Sequence, residues 1–189
     1  MIKKYYKKFL FFLILVLFLI MLSALLYFFN PEEIVNKIGI KNAYILAFVV
    51  SFFGGFSTLS SITFIATLAT LSIGGVNPVI LGLVAGTSLA IGDMLIFYIG
   101  FKGREIVIGK WGKKLDKISQ WTKKRLEKFI PFIAYIYIGF TPLPNDFILL
   151  FLAMIKYPFK KLYIPIILGD LTFALLISIF AVKAISIFI

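Results

Sequence analysis

The chain has 189 residues, 61% of them hydrophobic, and a mean hydropathy of +1.05. A soluble domain runs nearer ~45–50% apolar, so this composition excludes an ordinary soluble fold and leaves room for about four to six membrane segments. The net charge of +12 lies in loops beside apolar runs, which favours orientation signals and anionic lipid over nucleic acid as the partner.

Cysteine and histidine are both absent, which excludes disulfides, thiol chemistry, imidazole proton relays and Cys/His metal sites. No cofactor and no metal site is expected. With 8 acids in the whole chain, carboxylate chemistry has few candidates.

Residues 1–8 (MIKKYYKK) form a basic head, and 9–29 are an unbroken apolar run. About 20 apolar residues span a bilayer, whereas a signal peptide carries an apolar core of about 7–15. The run is therefore read as a retained transmembrane helix. Asn30-Pro31-Glu32-Glu33 ends it and starts a short interfacial helix, with proline at its first position and acids in its first turn. Residues 43–75 are apolar but broken by Gly54-Gly55 and by the hydroxyls of Ser57, Thr58, Ser60 and Ser61; Gly74-Gly75-Val76-Asn77-Pro78 closes them with a turn. Residues 78–100 make a span whose Gly82, Gly86 and Ser88 form a small face for close helix approach.

Residues 102–128 hold ten Lys or Arg against three acids, with Trp111 and Trp121 among them. This pattern fits an amphipathic helix on an anionic lipid surface, and equally a basic loop that fixes orientation. A second broken apolar piece covers 129–155 and contains Gly139-Phe140-Thr141-Pro142-Leu143-Pro144-Asn145-Asp146. Pro142 and Pro144 each lack an N–H, so no ordinary spanning helix passes through them. A basic turn at 156–161 precedes a last span, 162–181, expected to be interrupted at Pro165 and at Gly169-Asp170.

Basic residues mark the cytoplasmic side, so the N-terminus and the 102–128 segment are both assigned there, in a multi-pass protein of the cell membrane. The first span leads out and 78–100 leads back, so 43–75 crosses zero or two times. It is too short and too broken for two crossings, and a hairpin that enters and leaves from the outer face satisfies the count. Lys156, Lys160 and Lys161 impose the same logic on 129–155, from the inner face.

An internal repeat agrees with this. Gly55-Phe56-Ser57-Thr58-Leu59-Ser60-Ser61 parallels Gly139-Phe140-Thr141-Pro142-Leu143-Pro144-Asn145; Asn77-Pro78 parallels Tyr157-Pro158, and Gly92-Asp93 parallels Gly169-Asp170. The expected fold is an all-α integral membrane protein, an inverted repeat of two re-entrant helical hairpins plus about three full transmembrane helices. Such repeats are typical of secondary transporters, with the site where the broken helices meet. The expected organisation is an N-terminal helix and interfacial segment at 1–42 and a membrane domain at 43–189, divided into repeat one (43–101), linker (102–128) and repeat two (129–189).

The segment Ile91-Gly-Asp-Met-Leu-Ile-Phe-Tyr-Ile-Gly-Phe-Lys-Gly103 resembles the GD…YxIGxxxG element of the DedA family, also called the VTT or SNARE-associated Golgi domain. GFTPLPND followed by a Pro-Phe turn is similar to that family's second hairpin, in its small archaeal-type members above all. The resemblance covers about 43–181. It implies two opposed re-entrant hairpins and movement of lipids or polyprenyl-phosphate carriers between leaflets, in some members linked to the proton gradient. Two positions depart from the pattern: the family's first-hairpin acid is replaced by Leu59-Ser60-Ser61, and Ala134 stands where an arginine follows Lys128 and Pro131. A scramblase-like or lipophile-transport role fits these departures best.

The candidate pathway residues are Asp146, Asn145, Asp93, Asp170, Pro142, Pro144, Ser60 and Ser61, with Lys128 and Arg104 as interface or head-group residues. Asp146 carries most weight, as a carboxylate just after a double proline break; Asn145 and Asp146 are also good helix N-caps. Asp93 and Asp170 lie within spans, where a charge must be neutral or paired. The serines read first as groups that satisfy broken backbone. No GxSxG elbow, metal triad or phosphotransferase motif is present, so the chain is not read as an enzyme. The alternatives are a non-transporting membrane scaffold and, remotely, an intramembrane hydrolase using Asp93 with Asp170. The expected partners are membrane lipids, with anionic head groups at 102–128 and no nucleic acid, and homo-oligomerisation is left open.

Overall fold

The computed structural model describes residues 31–54, 58–107, 112–141 and 143–188. The expected first span at 9–29 and Pro142 lie outside the described residues. These are all-helical, with no strand: α1 (Pro31–Ile38), α2 (Ile40–Gly54), α3 (Thr58–Ile73), α4 (Pro78–Val107), α5 (Gly112–Arg125), α6 (Ile130–Phe140), α7 (Asn145–Met154), a 3₁₀ turn (Phe159–Lys161) and α8 (Tyr163–Phe188).

Local chemistry sets these boundaries. Pro31 starts α1, and Gly39, at φ +80°, separates it from α2. Asn77 caps α4, its Oδ1 accepting the N–H groups of Val79 (3.0 Å) and Ile80 (3.2 Å). The helices α3 and α7 end in the same way. The Val76 N–H reaches back to the Leu71 carbonyl (3.1 Å), and the Tyr157 N–H to that of Leu152 (2.9 Å). Each such stop needs one left-handed residue, here Gly75 at φ +92° and Lys156 at φ +55°.

Two expectations are corrected here. The helix of the second span does not stop at Gly100 but runs on through Lys102 and Arg104 to Val107, so the amphipathic helix is confined to α5. The last span is not interrupted. Pro165 is the third residue of α8, where a backbone N–H has no helical partner to lose, and Gly169-Asp170 continues the helix.

Among the described residues, two helices are long and apolar enough to cross a membrane, over Pro78–Arg104 and Tyr163–Ala184. The helices α2, α3, α6 and α7 have 15, 16, 11 and 10 residues. At 1.5 Å per residue they reach roughly 15–24 Å, short of a hydrocarbon core of ~30 Å. Large apolar side chains are exposed along the helices, among them Phe48, Ile80, Phe132, Phe147, Leu168 and Phe180. A surface of that kind suits lipid rather than water.

The helices α4 and α8 pack antiparallel through Gly82 and Gly86 of the expected small face, whereas Ser88 turns to α2. A Cβ added at Gly82 would come within 2.9 Å of the Leu175 Cα, and one at Gly86 within 2.7 Å of the Leu171 Cα. The short helices then distribute themselves over this pair. Each first member packs on the long helix that follows it, α2 on α4 and α6 on α8. Each second member packs on the other long helix, α3 on α8 and α7 on α4. Along α4, the Phe48 carbonyl accepts from Ser88 Oγ (2.6 Å) and the Phe52 carbonyl lies against Gly92, so α2 runs in the same direction as α4. The helix α7 also follows that direction, from Asn145 beside Asp93 to Leu150 beside Gly100. On α8, Phe64 of α3 stacks against Phe173 (6.1 Å between centroids), and Ile138 of α6 fits against Gly169.

Candidate functional site

The two Gly-Asp pairs of the sequence fall where short helices cross long ones. Gly92 and Gly169 have no side chain because the Phe52 carbonyl and Ile138 occupy the space a Cβ would need. The aspartate that follows each glycine points elsewhere on its helix. Asp93 of α4 and Asp170 of α8 are both 0% exposed. By helical rise, Asp93 lies about 14 Å from Lys102 on α4 and Asp170 about 10 Å from the start of α8. Half of a bilayer core measures ~15 Å, for comparison.

Asn145 joins them. It is the first residue of α7, and its carboxamide Nδ2 donates to Asp93 Oδ2 (2.9 Å) and to Asp170 Oδ1 (3.1 Å). One amide nitrogen with two hydrogens thus serves two carboxyls from two different long helices. The two carboxyls also bear directly on each other. Asp93 Oδ1, Asp170 Oδ2 and Asp146 Oδ1 are buried and, among the described residues, have no hydrogen-bond partner. In low dielectric, buried carboxyl oxygens without a partner are costly.

The chain reaches this point through the proline break. α6 ends at Phe140, Thr141 Oγ1 donates back to the Tyr137 carbonyl (2.6 Å), and the Tyr137 hydroxyl donates to the Pro144 carbonyl (3.3 Å). Pro144 occupies the N-cap position, with extended backbone and no side-chain cap. The expected capping role of Asn145 or Asp146 is therefore corrected: α7 starts without a side-chain cap, and the Asn145 amide is directed to the acids instead. Asp146, given most weight from the sequence, is only half-buried and contributes no bond to the bridge, although its charge is felt at Asp93.

The break between α2 and α3 comes to the same place. Ser61 Oγ donates to the Gly54 carbonyl across that break (3.1 Å), the backbone-satisfying role read for the serines. Gly54 and Ser61 share a cleft with Leu143 and Asn145, closed by Leu89 and Phe173. Its ≈ 20 Å³ suits about one water molecule. Ser60 lies in the first turn of α3.

The interface residues separate. Lys128 is exposed. Arg104 is 5% exposed and ion-paired with Asp116, fastening α5 to the end of α4 instead of facing outward. Ser119 Oγ on the Ile155 carbonyl (2.6 Å) and the Tyr157 hydroxyl on the Glu127 carbonyl (2.9 Å) fasten the same region to the end of α7.

Compared with known proteins, the chain matches no family model, no curated protein and no solved structure. Its own residues therefore carry the functional reading. The bridge was partly legible in the sequence, since all three members were candidates, but nothing there singled out Asn145 as the group between the acids.

Proposed function

We propose that this protein is a membrane transporter or scramblase-like translocator of the DedA kind, in which two re-entrant hairpins of opposite orientation meet around Asp93, Asn145 and Asp170. The observation that carries the reading is Asn145, at the start of a broken helix, bonded at once to buried acids of both long helices. Intramembrane ionisable groups that face a bundle interior typically mark ion and substrate pathways.

The hairpin reading has independent support. The helices α2, α3, α6 and α7 are each too short to cross, and the exchange of partners has the same form in both halves. The break after α2 and the start of α7 reach α4 at the depth of Asp93, while Lys156 beyond α7 comes back beside Lys102. An inverted repeat with its site at the junction of broken helices is the arrangement of many secondary transporters.

In this reading the bridge is a latch. With Asn145 on both acids the junction is closed, and a ≈ 20 Å³ cleft is far too small for a lipid head group. A proton or small cation held by the Asp93–Asp170 pair relieves the repulsion between two buried carboxylates and stabilises the closed form. Its loss weakens the contact and lets α7 part from α4 and α8, opening a polar route along which a lipid or polyprenyl-phosphate-type head group passes. The hydroxyls of Tyr135, Tyr137 and Thr172 stand along that route.

A scaffold is the second reading, favoured by the smallness of the cleft. Reconstitution separates the two. Purified protein in vesicles carrying a leaflet-specific lipid reporter accelerates exchange over protein-free vesicles if it is a translocator, and Asp93→Asn with Asp170→Asn changes that rate at least tenfold. No acceleration for any of several lipids refutes translocation.

A further inference from the structure

An open groove of ≈ 730 Å³ separates the last turns of α4 from the turn after α7. Its walls are aromatic. Tyr98 and Phe101 line it on the α4 side, and Phe97 meets Phe159 across it with ring centroids 5.5 Å apart. Lys102 and Lys156 complete the lining, both exposed and, among the described residues, neither with an ion-pair partner. Two nearby cations are paired, Arg104 with Asp116 and Lys161 with Glu127 (2.7 Å), while Lys160 lies exposed outside the lining.

Lys156 has a second distinction. It holds a left-handed backbone (φ +55°), which strains any residue with a Cβ, at the helix stop where the first half of the chain uses Gly75. A glycine there would end α7 equally well and without strain. What the lysine adds is an ammonium group on the groove.

We propose that this groove binds a phospholipid of the adjacent leaflet by an anionic phosphate head group. Lys102 and Lys156 take the phosphate, and the Phe97–Phe159 wall takes the first methylenes of the chain. The position fits, because the groove lies where the apolar surface of α4 gives way to its basic end, the level at which aromatic and basic residues meet head groups. Charge complementarity supplies the attraction, and the aromatic wall, which inorganic phosphate would leave bare, selects a lipid. The inference rests on the chain's lying in a membrane and is independent of whether it moves lipid.

Native mass spectrometry of the full-length chain in neutral detergent tests this with phosphatidylglycerol, phosphatidylcholine and inorganic phosphate as probes. The protein retains one phosphatidylglycerol in preference to phosphatidylcholine. Lys102→Gln with Lys156→Gln weakens that binding about 10–30-fold. Lys160→Gln, an exposed lysine off the groove, changes it less than about twofold. Lys156→Gly weakens it too while raising the melting temperature, because it removes charge and backbone strain together; this separates lost binding from lost folding. Phosphatidylglycerol binding by the double variant within twofold of the parent overturns the proposal. So does an equal loss in Lys160→Gln, or inorganic phosphate binding as tightly as the lipid.

Discussion

Asn145→Ala removes the group between Asp93 and Asp170 and adds nothing in its place. Two hydrogen bonds to acids disappear, at 2.9 and 3.1 Å, and four carboxyl oxygens are left where two already lack partners. Bonds to charged groups contribute about 1.5–3 kcal/mol each in proteins, whereas interhelical bonds in membranes average about 0.6 kcal/mol. Between these limits, the substitution should destabilise the fold by about 2–4 kcal/mol. The cost should depend on the charge of the partners. In an Asp93→Asn, Asp170→Asn background the acceptors are neutral, and neutral bonds contribute only about 0.5–1.5 kcal/mol each. There Asn145→Ala should cost about 1–3 kcal/mol, toward the lower end in a membrane setting. Equilibrium unfolding of the four proteins in mixed micelles gives the coupling directly. Equal costs in both backgrounds would refute the view that Asn145 serves a charged pair. An Asn145→Ala protein as stable as its parent would refute the bridge altogether.

Gly92→Ala and Gly169→Ala should each lower thermal stability markedly, because the new Cβ meets the Phe52 carbonyl or the side chain of Ile138; Gly103→Ala, with nothing within 4 Å, should raise it slightly through helix propensity. Comparison of the three melting temperatures in one detergent checks the assignment. The chain has no cysteine, so single-cysteine labelling can read its orientation. Asn77→Cys should react with an impermeant maleimide only from outside and Lys160→Cys only from inside; labelling of both from one side would overturn the opposed hairpins. Arg104→Gln should speed protease cleavage within α5, since the ion pair to Asp116 is lost. An unchanged cleavage rate would mean that Ser119 on the Ile155 carbonyl holds α5 by itself.

The breaks were legible because they are local. Pro78, Pro144, Gly75 and Asn77 act within a few residues of themselves, and the helix boundaries follow them. Pro165 and Gly169 misled for the opposite reason: a proline in the first turn and a glycine in a tight crossing leave a helix intact. The placing of Asn145 rather than Asp146 between the two acids was not legible for a related reason. Charge singled out the aspartate, but adjacent helical residues point about 100° apart, and only one of them can face both long helices.

The sequence by itself pointed to a helical fold, apolar spans at 78–100 and 162–181, two apolar pieces broken near their middles, and a glycine before each of Asp93 and Asp170. Those properties follow from composition, length and backbone chemistry, which neighbouring residues settle among themselves. Only the tertiary structure decided that Asp93 and Asp170 share one carboxamide, that Arg104 is neutralised by Asp116, and that Lys102 and Lys156 line one groove. Each of these depends on how a helix is rotated about its own axis. That rotation is fixed where α4 and α8 meet at Gly82 and Gly86, and where Phe52 and Ile138 rest on Gly92 and Gly169.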